Sequence, residues 1–184
     1  MIYDWAVSLG IVTILVLGLV VTADVIFSSA ENNYSLGTGL SNVASFIATH
    51  IDRLEGVEAT ATEPFFFNGS FVGVQLPKSV AGHPYSVEIT QDFVVVSANV
   101  SGGSALSAYI GLSEPVHLLN ASLAKGIQGT SLNSTWLDAT EFNCLKFPYG
   151  VNFQAWEEGV VLDGVDSYIT TVFGTNGHDD TCPL

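Results

Sequence analysis

From Trp5 to Ala23 the chain reads WAVSLGIVTILVLGLVVTA without one charged side chain, with Asp4 before it and Asp24 after it. A helix of about 19 residues is roughly 28 Å long, enough to cross the hydrocarbon core of a bilayer. A helix that is apolar all round needs cover on every side. Trp5, Ile11, Val12, Ile14, Leu15, Leu17, Leu19 and Val20 are therefore expected to be covered by lipid or by other apolar surface. The run is not built like a cleavable secretory signal, which has a basic start, a shorter apolar stretch and a small-residue cleavage site. No Lys or Arg precedes Arg53, so the positive-inside rule has nothing to act on. Either a basic leader was removed before Met1, or the intact chain is oriented by other means.

Helical character continues beyond the run. In LSNVASFIATHIDRLEG the residues Leu40, Val43, Ala44, Ile47, Ile51 and Leu54 recur at three- and four-residue spacings, one apolar stripe. Ser41, Asn42, Thr49, Asp52 and Arg53 take much of the other face, and Gly56 is placed as a stop. The pattern predicts one long helix over residues 1–55, or two nearly collinear helices with a bend near Gly37–Gly39. Leu40, Val43, Ile47, Ile51 and Leu54 are the side chains expected to join it to the rest of the protein.

After Gly56 the period changes from helical to alternating. GSFVGVQLP, YSVEITQ, DFVVVSANV and LSAYIGL are rich in Val, Ile, Phe and Tyr and predict strands. Tyr85, Val87 and Ile89 alternate with Ser86, Glu88 and Thr90, the mark of a half-buried strand, and Gln91-Asp92 reads as a tight turn. VHLLNASLA is compatible with strand or helix. The segments around Trp136, Phe142 and Trp156 read as shorter strands and loops, and VDSYITTVF as a final strand. Residues 56–184 are thus expected to form a β domain.

The whole chain has 18 acidic and 4 basic residues, a formal net charge of −14. It lacks the basic patch that neutralises phosphates, which excludes nucleic acid as a natural partner. Cys144 and Cys182 read as a disulfide in an exported chain and as two buried thiols in a reducing compartment. Five sequons, at Asn33, Asn68, Asn99, Asn120 and Asn133, fit N-x-[ST] and point to a surface outside the cell.

Catalytic signatures are missing: no GxSxG elbow, no phosphate-cradling glycine loop and no HExxH. His50, His83, His117 and His178 are scattered, without the spacing of a zinc site. Asp163-Gly-Val-Asp166 and His178-Asp-Asp180 carry oxygen ligands but do not match a calcium loop. Glu157 and Glu158 are neighbours, so on a strand they face opposite sides. No catalytic residue, metal or cofactor is expected. Of Phe65, Phe66 and Phe67, at least one is expected in the core, with cover by a neighbouring subunit as the other reading.

The apolar helix, its amphipathic continuation and the stretch from Leu76-Pro77 through Gly82 to Tyr85-Ser-Val-Glu-Ile89 resemble the archaeal type IV pilin and archaellin class. The resemblance implies an α+β fold: a long N-terminal helix, then an all-β, immunoglobulin-like sandwich head. It implies an extracellular filament on the cell surface, a helical homopolymer inserted in the membrane as a precursor and handled by pilus assembly machinery. The missing glycine-led start of archaellins favours an adhesive pilus over a swimming filament. Two alternatives stand beside it. One is a membrane-anchored β-sandwich that does not polymerise, such as a stator-like component of archaeal motility machinery. The other is an anchored carbohydrate-binding or hydrolytic domain, which a cluster of exposed aromatics with facing carboxylates would support.

Overall fold

A computed structural model describes residues 22, 32–55, 61–67, 73–100, 103–119, 131–132 and 142–174. The chain divides into two compact units, 1–36 and 37–184. The expected apolar helix, with all eight side chains from Trp5 to Val20, lies outside the described residues.

Helix α1 spans residues 32–52. Within the second unit its stripe is sharply one-sided. Leu40, Val43, Ala44, Ile47, Ala48, Ile51 and Leu54 are buried, while Asn42, Ser45, Phe46, Thr49 and Arg53 are exposed. Burying five aliphatic side chains of this stripe is worth on the order of 5–10 kcal/mol before entropy. The helical backbone continues through Gly37 and Gly39. A Cβ at Gly39 would collide with Val80 Cγ1. The glycine lets the helix backbone approach the β body closely, the packing use of a residue that otherwise weakens a helix.

Ten strands follow: β1 (Ala61–Phe66), β2 (Val74–Gln75), β3 (Tyr85–Thr90), β4 (Phe93–Asn99), β5 (Ala105–Gly111), β6 (His117–Leu118), β7 (Ser131–Leu132), β8 (Cys144–Phe147), β9 (Phe153–Leu162) and β10 (Val165–Gly174). One sheet runs β5-β4-β3-β8 and is antiparallel throughout. The other runs β2-β1-β9-β10-β6, with β7 also paired to β9. The sheets meet through stacked rings. Phe65 of β1 lies on Phe153 of β9 with centroids 4.6 Å apart, and Phe153 lies on Phe147 of β8 at 4.5 Å. Phe65 and Phe67 are both buried.

Local chemistry explains the hairpins. Gln91-Asp92 is the two-residue turn between β3 and β4, closed by a hydrogen bond from Phe93 N to Thr90 Oγ1 at 3.0 Å. Asp163-Gly164 joins β9 to β10, with Leu162 opposite Val165 and positive φ at both turn residues (51° and 84°). Asp-Gly is a favoured pair for such a primed turn. The aspartate weighed as a cation ligand is a hairpin residue.

Three expectations are corrected. Among the described residues the fold is mostly β in two sheets, and helix α1 covers only 21 residues, 32–52, of the span 1–55 expected to be one long helix. The immunoglobulin-like sandwich needs two antiparallel sheets, whereas β1/β2, β6/β10 and β7/β9 are parallel pairs. Parallel neighbours require crossover connections, which local alternation cannot reveal. Third, no helix among the described residues is long and apolar enough to cross a membrane, because α1 keeps a polar face. The pilin-like description therefore does not fit the described architecture.

Candidate ligand-binding face

The outer face of the four-stranded sheet can be built strand by strand from its register. Its opposite face is packed along three strands: Tyr85, Val87 and Ile89 of β3, Val94, Val96 and Ala98 of β4, and Leu145 and Phe147 of β8 are all buried, and Leu106, Ala108 and Ile110 of β5 are half-buried. Because side chains alternate along a strand, the residues between them point outward. They fall in rows across the sheet. Lys146, Glu88, Val95 and Tyr109 form one row, each opposite the next. Ser86, Ser97 and Ser107 form the next row toward the far end. Thr90 and Phe93 flank the aromatic end, beside the Gln91-Asp92 turn.

This face is concave and encloses about 830 Å³, within the range of sites that take small molecules. The rings at its margins are open to solvent: Phe93 is 48% exposed, Tyr109 60% and Tyr149 47%. Tyr149 follows β8, at the opposite edge of the sheet from Tyr109, and its ring is held edge-on by Phe67 at 5.7 Å. The floor is polar and largely satisfied within itself. Lys146 Nζ stands 3.9 Å from Glu88 Oε2, and the hydroxyls of Ser97 and Ser107 share a hydrogen bond of 2.8 Å. Glu88 and Lys146 cancel in charge, so the centre of the face is neutral in a strongly acidic chain.

A second group of polar side chains lies elsewhere. Glu157, on the inward side of β9, is buried and accepts a hydrogen bond from Thr170 Oγ1 of β10. Burial raises its carboxyl above the usual range, partly offset by that hydrogen bond. Glu55, just past α1, is pushed up to about 7, first by burial and then by the charges of Asp52, Glu114 and Glu157. Asp52 Oδ1 accepts from Ser113 N at 3.1 Å, tying the helix end to the segment after β5. Neither Glu55 nor Glu157 lines the concave face.

The sequence-derived candidates are dispersed. Asn33 is exposed on α1, and Asn99 is exposed at the end of β4, on the rim of the concave face. Asn68, Asn120 and Asn133 lie outside the described residues. Of the two cysteines, Cys144 is buried at the start of β8, opposite Thr90. Cys144 is disulfide-bonded, and Cys182, the expected partner, lies outside the described residues. His50 sits at the boundary, 3.8 Å from Glu63, with its ring edge-on to Phe46. Leu40, Val43, Ile47, Ile51 and Leu54 are gathered in the core. Among the described residues no group of histidine, cysteine and acidic side chains is placed to hold a metal ion.

Sequence reasoning did not single out Phe93, Tyr109, Tyr149 or the serine row. A signal was present. The short Gln91-Asp92 turn sets the β3–β4 register, and the β4–β5 connection sets the next, which brings Val95 opposite Tyr109. No family model, curated protein or solved structure matches this chain.

Proposed function

We propose that the chain is a binding subunit without catalytic chemistry, displayed at a cell surface, whose concave sheet face contacts its ligand. One observation carries the reading. Phe93, Tyr109 and Tyr149 stand half open around an 830 Å³ concavity, on a sheet whose other face is packed along β3, β4 and β8. Large rings left in water beside unfilled concave space are what a recognition surface offers. Glu88, the carboxylate nearest the floor, is engaged with Lys146 and has no second carboxylate opposite it, which supports binding over hydrolysis. Purified full-length protein should co-sediment with insoluble cell-envelope material, and a Phe93→Ala/Tyr109→Ala double variant of equal stability should stay in solution. Equal sedimentation of the two would remove the face from the function.

A second reading is a structural subunit that polymerises through its N-terminal run. It is favoured by the uncharged stretch from Trp5 to Ala23 standing just before a helix whose apolar stripe is core. Val12→Asp or Leu17→Asp would bury an unpaired charge among packed helices. Either should abolish material that shears from cells and pellets without detergent. Normal filaments from both variants would end this reading.

A further inference from the structure

We infer that the concave face of the β5-β4-β3-β8 sheet binds a neutral glycan chain, laid across the strands from Tyr109 to Tyr149. This inference rests on the binding-subunit reading and names the ligand class.

The order of chemistry across the face is the first reason. A protein–protein interface places its apolar residues at the centre and its polar residues at the rim. Here the order is reversed. The two inner strands hold Glu88, Ser86 and Ser97 beside Val95, with Lys146 and Ser107 flanking them on β8 and β5, while the exposed rings of Tyr109 and Tyr149 stand at the two edges of the sheet and Phe93 at its turn end. A second copy of the chain would have to desolvate Glu88 with its Lys146 partner and a hydroxyl row within its contact, an expensive arrangement. A sugar chain asks for the opposite. Its rings carry polarised C–H faces that rest on the electron-rich face of an aromatic ring, and their edges carry hydroxyls.

Hydroxyl chemistry is the second reason. A serine hydroxyl donates one hydrogen bond and accepts two, so the Ser86–Ser97–Ser107 row can meet a sugar hydroxyl in either sense. The bond between Ser97 and Ser107 leaves acceptor capacity on both. Glu88 and Lys146 add one acceptor and one set of donors, already oriented by each other. Most of the desolvation and ordering cost is met before the ligand arrives, which favours binding of a weakly polar chain.

Charge is the third. With 4 basic residues against 18 acidic ones in the chain, a polyanion is repelled at long range. Glu88 and Lys146 cancel on the floor, and the other carboxylate of the lining, Asp92, stands exposed in the β3–β4 turn, away from the floor, so a cation finds no free carboxylate at the centre. A neutral ligand is the class that remains. Three inter-strand steps separate β5 from β8, about 14 Å, enough for a short run of sugar rings between the two aromatic edges.

The test uses the full chain in a detergent without a sugar headgroup, run in native gels cast with soluble glucan, mannan or galactan, and with alginate as the anionic control. At least one neutral polysaccharide should retard the wild-type protein, and alginate should not. Tyr109→Ala should weaken binding about tenfold, the scale of a buried aromatic contact. A Ser97→Ala/Ser107→Ala variant, checked for an unchanged melting temperature, should weaken it while leaving the rings in place. Absence of retardation in all neutral gels overturns the glycan assignment. If Tyr109 still governs retention on envelope material in that case, the binding face survives with another ligand. If the Tyr109→Ala variant instead loses self-association in sedimentation, the face is a contact between copies and the inference is wrong.

Discussion

Two aromatic trios lie on either side of the same sheet system and have opposite fates. Phe65, Phe153 and Phe147 stack with interplanar angles of 10° and 17°, and all three are buried. Phe93, Tyr109 and Tyr149 stand apart from one another, with about half their surface in water. Residue type does not separate Phe147 from Tyr109; strand parity does. Phe147 pairs across with Val87, on the packed side, whereas Tyr109 pairs with Val95, on the concave side. A ring on the packed side contributes burial and dispersion to stability. On the concave side it leaves that contribution to a ligand.

The comparison is broken most directly by truncating one ring from each side. Phe147→Ala should cost about 3–5 kcal/mol, the range for a buried aromatic, read as a large drop in the urea midpoint. Tyr109→Ala should change stability by no more than about 0.5 kcal/mol. A comparable loss from both would mean that the outer ring is part of the core.

A smaller effect is expected where α1 meets the β body. Gly39→Ala places a methyl group against Val80 and should destabilise by about 1–3 kcal/mol. In a Val80→Ala background the same change should be nearly neutral or stabilising, since alanine is otherwise the better helix former. Additive costs in the double variant would show that the close approach is not what requires glycine.

The smallest effect concerns the acid group and depends on pH. Glu55 titrates near 7 in the folded protein against an ordinary 4.5. Between those values the folded state keeps a proton that the unfolded chain has released. Stability therefore falls as pH rises from about 4.5 to about 7, and the Glu55 contribution levels off above. Glu157 is shifted in the same direction by its burial. Glu55→Gln should raise the denaturation midpoint at pH 8 relative to wild type and shrink its fall between pH 5 and pH 8. An unchanged slope would show that Glu55 is not the group responsible.

Much of this structure was legible locally. YSVEIT, the Gln91-Asp92 turn and VDSYITTVF each contain their own signal, because alternation and turn chemistry act within a few residues. The stripe from Leu40 to Leu54 was equally plain. The segment around Trp156 was misread as short strands, although it is the ten-residue β9. Its inward alternation stops after Glu157, and the next buried residue, Val160, faces the other way to pack with Leu119 and Ile169. No single period describes a strand that buries different faces along its length. The concave face was hidden for a related reason, since its row from Lys146 to Tyr109 draws one residue from each of four strands.

By itself the sequence determined the charge balance, the uncharged N-terminal stretch, the amphipathic helix and the hairpin turns. These are properties of consecutive residues, set by side-chain chemistry and by 3.6- or 2-residue periodicity. Only the tertiary structure decided that β1/β2, β6/β10 and β7/β9 pair in parallel, and that Gly39 is a point of close contact with Val80. It also decided which aromatic residues are left in water. Each of these depends on partners far along the chain, chosen by the collective burial of apolar surface, which no local window of sequence contains.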